Sequence, residues 1–171
     1  MKQRSIYQLE AIVRRHCDGC TLCCEGWLAI DSNGIKASLN KPCVNLSCNV
    51  GCNIYADRPS DPCGAFKCLW LTDAEHMTAE MKPSKTKVIV QERLIQGWHF
   101  PVLAAVATNK ESLDLEWENI KSIATKKGIF AVALAYSNGK KDDYKKTMNI
   151  LGDTKFAEIM KILFDNQVVI F

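Results

Sequence analysis

No cysteine stands beyond position 68 of this 171-residue chain, and histidine occurs only three times, at His16, His76 and His99. The sequence contains no G-x-S-x-G, no H-E-x-x-H and no phosphate-binding loop, so hydrolase and NTPase readings have nothing to anchor them. No window approaches the roughly 18 continuous apolar residues of a membrane helix, and no membrane partner is expected. Residues 1–10 lack an apolar h-region, which argues against a secretory signal and for a cytoplasmic protein. A large excess of one charge is also missing. The formal net charge is +3, and the basic cluster Lys140, Lys141, Lys145 and Lys146 is interrupted by Asp142 and Asp143, the pattern of a solvated face. No nucleic-acid partner is expected; the partner, protein or small molecule, is left open.

What is present is cysteine at high local density. Cys17, Cys20, Cys23 and Cys24 form C-x2-C-x2-C-C, and Cys43, Cys48, Cys52, Cys63 and Cys68 follow. In a reducing compartment such thiols are more often ligands than disulfides, and an odd total of nine rules out complete internal pairing. Thiolates are soft donors that suit zinc, Cu(I) or iron-sulfur clusters. The two-residue spacers of Cys17, Cys20 and Cys23 match the first three ligand positions of a ferredoxin run, with Trp27 where the fourth cysteine would stand. Neighbouring side chains in an extended segment diverge, so Cys23 and Cys24 are expected to serve two metals, or one of them to bridge. Cys43, Cys52, Cys63 and Cys68 supply four further thiols, enough for two ions or for one cluster plus one ion.

Three segments are expected in an α+β chain forming one compact unit: an N-terminal helix over 1–16, a loop-rich cysteine metal-binding lobe over 17–70, and a body over 71–171. That body is a small, mainly antiparallel sheet packed with helices. Ile6, Leu9, Ile12 and Val13 carry the first helix, with Ser5 as its cap. Residues 17–70 hold five of the nine glycines and three of the five prolines and show little periodicity, so metal would have to supply their cross-links. Beyond them the pattern predicts a helix over 72–81 and strands over 85–94 and 98–108 joined through Gln96-Gly97. A helix over 112–127 stopping at Gly128 and a strand over 129–136 closed by residues 137–139 come next. The chain then predicts a helix over 154–164 and an edge strand over 168–171.

The run Cys17-Asp18-Gly19-Cys20-Thr21-Leu22-Cys23-Cys24, then Gly51-Cys52-Asn53-Ile54-Tyr55-Ala56-Asp57-Arg58-Pro59 and Cys63-Gly64-Ala65-Phe66-Lys67-Cys68-Leu69-Trp70, resembles the CxxCxxCC family of zinc- or iron-chelating proteins. That group includes the flagellin lysine N-methylases. The resemblance covers residues 17–70 and implies eight metal ligands, Cys17, Cys20, Cys23, Cys24, Cys43, Cys52, Cys63 and Cys68, with Cys48 outside the set. It also implies iron, as an iron-sulfur cluster, or zinc as cofactor. S-adenosylmethionine enters only by analogy with methyl transfer in the methylases.

Two readings follow. One is a metal-binding protein with an iron-sulfur or multinuclear site and a methyl-transfer or redox role. The other is a structural-zinc interaction module, in which exposed Trp27 and Trp70 would meet a partner. Arg58 is expected either to face thiolate sulfurs or to pair with Asp57 or Asp61, and Tyr55 to pack in the core with an outlet for its hydroxyl.

Overall fold

The computed structural model describes residues 15–136 and 146–166, apart from 18, 39, 40 and 49. The helix expected ahead of the cysteines, the turn at 137–139 and the strand expected at 168–171 fall outside these residues or nearly so. What remains is an α+β fold built on a mixed four-stranded sheet.

The cysteine-bearing segment contains only short pieces of regular structure. β1 (Ile30–Ser32) and β2 (Ile35–Ala37) form a hairpin through Asn33-Gly34, whose φ values of 49° and 78° give the doubly left-handed turn favoured by an Asn-Gly pair. β3 (Leu46–Ser47) pairs with β4 (Gly51–Cys52). Ahead of β1, Cys23–Trp27 makes a wide turn that only glycine can close at its fourth position. Gly26 has φ 90°, and a Cβ there would run into the Ser38 carbonyl.

A helix over 72–81 does not form. The chain instead makes a single turn, α1 (Leu69–Thr72), then a 3-10 turn at Ala79–Met81, and then α2 (Pro83–Thr86) with proline at its start. Asp73 breaks the expected helix, because its carboxylate accepts the His76 N–H at 3.1 Å and diverts the backbone from helical bonding.

β5 (Val88–Arg93) and β6 (Val102–Ala107) pair antiparallel, β6 and β7 (Phe130–Tyr136) parallel, and β7 and β8 (Lys146–Leu151) antiparallel. The parallel pair requires a crossover, which α3 (Lys110–Lys127) supplies. Asn109 caps that helix by accepting the Ser112 N–H at 2.7 Å, and Gly128 ends it in the left-handed conformation. The strand β8 carries no clear alternation in sequence and is unanticipated. α4 (Thr154–Asp165) is capped by Asp153 and buries Phe156, Met160 and Leu163.

Every residue of β6 is buried, as in a central strand covered on both faces. Ala105, Ala107, Ala131, Ala133 and Ala135 let α3 approach one face closely, where Leu113, Ile120 and Ile123 fill the space. On the other face Val102, Val132 and Leu134 meet α4 and the ring cluster of Trp98, Phe130 and Phe156. Trp27, Leu28, Leu69, Trp70 and Met77 join the first of these cores, so the cysteine lobe shares its hydrophobic interior with the sheet. No described helix is long and apolar enough to cross a membrane.

Candidate functional site: a thiol cluster and a charged cleft

Gly19, at φ 74°, turns the first C-x2-C so that the Cys20 N–H reaches the Cys17 carbonyl at 2.9 Å, and the next turn bonds the Cys24 N–H to the Thr21 carbonyl at 2.8 Å. The Cys43 N–H then donates to the Cys24 carbonyl at 2.8 Å, which places the second cysteine set against the first. Cys52 lies on β4, Cys63 in the turn Ser60–Gly64, and Cys68 at the N-cap of α1.

Charge effects show which sulfurs are neighbours. Burial pushes the Cys17 thiol up, opposed by a hydrogen bond with Tyr55 and reinforced by Cys20 and Cys24. Cys68 is raised by burial, against the Leu71 N–H, and senses Cys17 and Cys20. Cys63 is raised by burial and senses Cys24, Cys43 and Cys52. Cys17, Cys20, Cys23, Cys24 and Cys68 thus neighbour one another, Cys63 neighbours Cys24, Cys43 and Cys52, and Cys48 is exposed.

Neighbourhood is not coordination. Among the described residues no group of three or more His, Cys, Asp or Glu is placed to hold a metal ion. The sulfurs are divided between two apolar clusters: Cys23 and Cys68 lie with Trp27 and Leu69, whereas Cys24, Cys43 and Cys63 lie with Ile35 and Ala37. Cys17, Cys20, Cys23, Cys24, Cys43, Cys52, Cys63 and Cys68 are thus not a chelating set, and the expectations of an iron-sulfur cluster, iron or zinc are corrected.

No family model, curated protein or solved structure matches the chain. Membership of the CxxCxxCC chelating family is corrected accordingly, and S-adenosylmethionine and methyl transfer, which rested on it, go with it. The zinc-stapled interaction module loses its exposed anchors as well. Trp27 and Trp70 are only 8% and 9% exposed, and Trp70 donates from Nε1 to the Thr78 carbonyl at 3.0 Å.

Within the thiol cluster, Cys23 Sγ and Cys24 Sγ lie 3.9 Å apart. The hydrogen bond from Cys23 pushes the Cys24 thiol down to about 7, against burial and the Glu25 carboxylate, both of which raise it. Cys23, the donor, is raised by that bond first and by burial next. The Arg58 guanidinium lies 3.9 Å from the centre of the Tyr55 ring and donates to the Tyr55 carbonyl, and its charge lowers Cys17 and Cys63, in line with the expected role beside the sulfurs and not with a pairing to Asp57 or Asp61. His16 and His99 are exposed.

A second constellation escaped the sequence. Asp73 accepts from Lys127 Nζ at 2.9 Å and lies 2.9 Å from His76 Nδ1, and Lys127 also reaches Glu92 at 3.1 Å. These four line a cleft of about 470 Å³ together with Lys67 and Glu75. Burial works to raise the Asp73 carboxyl, but the hydrogen bonds from Lys127 and His76 outweigh it and hold it down at about 2. Asp73 and His76, three residues apart, could have been paired on spacing alone. Lys127 and Glu92 could not.

Proposed function

We propose that the protein is a thiol-disulfide exchange protein, with Cys24 as the attacking thiolate and Cys43 as the resolving thiol. The observation that carries this reading is the Cys23–Cys24 sulfur contact of 3.9 Å at a residue whose backbone is hydrogen-bonded to Cys43. Cys24 and Cys43 also share one apolar cluster with Ile35 and Ala37, which keeps the two side chains in the same pocket. An attacking thiol works best when its pKa lies near the ambient pH, because thiolate fraction and nucleophilicity then balance. Cys24, at about 7, meets that condition.

In the first step the Cys24 thiolate attacks one sulfur of a substrate disulfide, forms a mixed disulfide and expels the other half as a thiolate. The Cys43 thiol then loses its proton to solvent and attacks the Cys24 sulfur. The internal disulfide forms, and the second half of the substrate leaves as a thiolate. Two electrons pass from the two cysteines to the substrate. The partner is a disulfide-bearing small molecule or protein, and the compartment is one that returns the thiols to the reduced state, such as the cytoplasm.

Oxidised glutathione followed by peptide mapping tests the scheme. The wild type should acquire a Cys24–Cys43 disulfide, and Cys43→Ser should trap glutathione on Cys24. Alkylation of Cys24 by iodoacetamide should show a midpoint near pH 7, and Cys23→Ala should move it upward by removing the donor. Adducts confined to the exposed Cys48, or an unmoved midpoint in Cys23→Ala, would overturn the assignment.

A further inference from the structure

Alternation along β5 puts Ile89, Gln91 and Arg93 on one face of the sheet and Val88, Val90 and Glu92 on the other. Toward the end of the strand the first face meets the cysteine lobe. A cavity of about 260 Å³ opens there between β5 and the cysteine lobe, walled by Leu28, Ile30, Pro62 and Phe66, with Gln91 and Arg93 as its floor.

Arg93 is half-buried, and no carboxylate or other acceptor pairs with it among the described residues. Burial alone pushes its guanidinium down. A permanently charged group held in partly apolar surroundings without an anion is costly, and folded proteins normally answer such a charge with a partner. Here the fold offers five N–H donors in a planar fork and leaves them facing a cavity.

The remaining walls narrow the choice of anion. Asp31 lines the cavity, and Asp61, which accepts from Ser32 and Asn33, adjoins it through Pro62. Lys36 partly offsets Asp31 at 3.3 Å, but a carboxylate in the cavity wall still disfavours a doubly charged phosphate. A carboxylate brings a single charge and two oxygens that fit the guanidinium fork. The volume lies below the roughly 300 Å³ at which drug-sized sites begin, which limits the ligand to a small body. Leu28, Pro62 and Phe66 favour an apolar one.

We propose that this cavity binds a small monocarboxylate with an apolar body, its carboxylate held bidentately by Arg93 and its hydrocarbon portion packed on Leu28, Pro62 and Phe66. The Gln91 amide, two residues earlier on the same face, is placed to donate a further hydrogen bond. The site is independent of the thiol chemistry, and Cys24 can lose its reactivity without affecting it.

Calorimetric titration of the reduced protein with 3-phenylpropanoate, its neutral amide and inorganic phosphate tests the proposal. The acid should bind saturably, and the amide at least about tenfold more weakly, the scale of one charge-assisted hydrogen bond. Arg93→Gln should bind the acid no better than the wild type binds the amide. Arg93→Lys should fall between, because it keeps the charge and loses the fork. The acid-amide comparison needs no variant and stands even if Arg93→Gln misfolds. Equal binding of acid and amide, displacement of the acid by an equal concentration of phosphate, or no saturation at about 10 mM acid would overturn the proposal.

Discussion

The cysteine lobe and the sheet reach order by different physical means. In the sheet, β6 and β7 are hydrogen-bonded on both edges, and side chains such as Val102, Leu103 and Phe156 are wholly buried. In the lobe no strand exceeds three residues. Its chain path is held by turns, by Trp27, Leu28, Leu69 and Trp70 inserted into the shared core, and by polar ties such as Arg15 to the Trp70 and Met77 carbonyls at 2.9 and 2.7 Å. The sheet would therefore tolerate loss of the lobe's thiols, while the lobe depends on the sheet it packs against. Reactive groups sit on the less regular side of that divide, where turns can hold sulfurs close without burying all of them.

The strongest challenge to this contrast is Phe156→Ala. Phe156 is fully buried and contacts the rings of Trp98 and Phe130, so its truncation should cost about 3–5 kcal/mol in denaturant unfolding. A smaller loss would mean that the sheet side is more plastic than its burial indicates.

Next in size is the Asp73 tie between the segment after α1 and the end of α3. Its folded pKa of about 2 lies below the unfolded value of about 3.9. The stabilisation is therefore complete above the unfolded pKa and lost as pH falls through about 2. Allowing for partial solvent access, it should amount to about 1–2 kcal/mol. Asp73→Asn should lose that amount at neutral pH and show a flatter acid limb between about pH 4 and 2 in urea titrations. An unchanged acid limb would show that Lys127 and His76 do not hold the carboxylate in solution.

The smallest expected effect belongs to chelators. With no described chelating group in the lobe, excess EDTA or phenanthroline under anaerobic, reducing conditions should shift the melting temperature by less than about 1 °C. A fall of several degrees would show that the lobe folds around a metal and would erase the distinction drawn between the two regions.

Much of the sheet side was legible because its signals are local. The periodicity of Leu113, Ile120 and Ile123 with Gly128 behind it, and the apolar runs that became β6 and β7, each report a burial pattern within a few residues. The helix expected at 72–81 failed because the Asp73 carboxylate competes for the backbone, a preference that the helical pattern of neighbouring residues hides. The Asn33-Gly34 hairpin carries a local signal too, but one masked by the loop-like glycine and proline content around it. In the lobe, spacing pointed to a shared metal site that does not form, because it holds no information on the direction each sulfur takes.

By itself, then, the sequence determined that nine thiols would crowd into the first 68 residues and that an α+β body would follow, because composition and periodicity act over short stretches of chain. Only tertiary structure decided what those thiols and charges face. Sulfur directions depend on how the two apolar clusters divide them, the partner of Asp73 comes from Lys127 at the far end of α3, and Arg93 is left with a cavity because the lobe closes over β5 at that point. Coordination, ion pairing and desolvation all vary steeply over a few ångströms, and that scale is set by packing between segments distant in the chain.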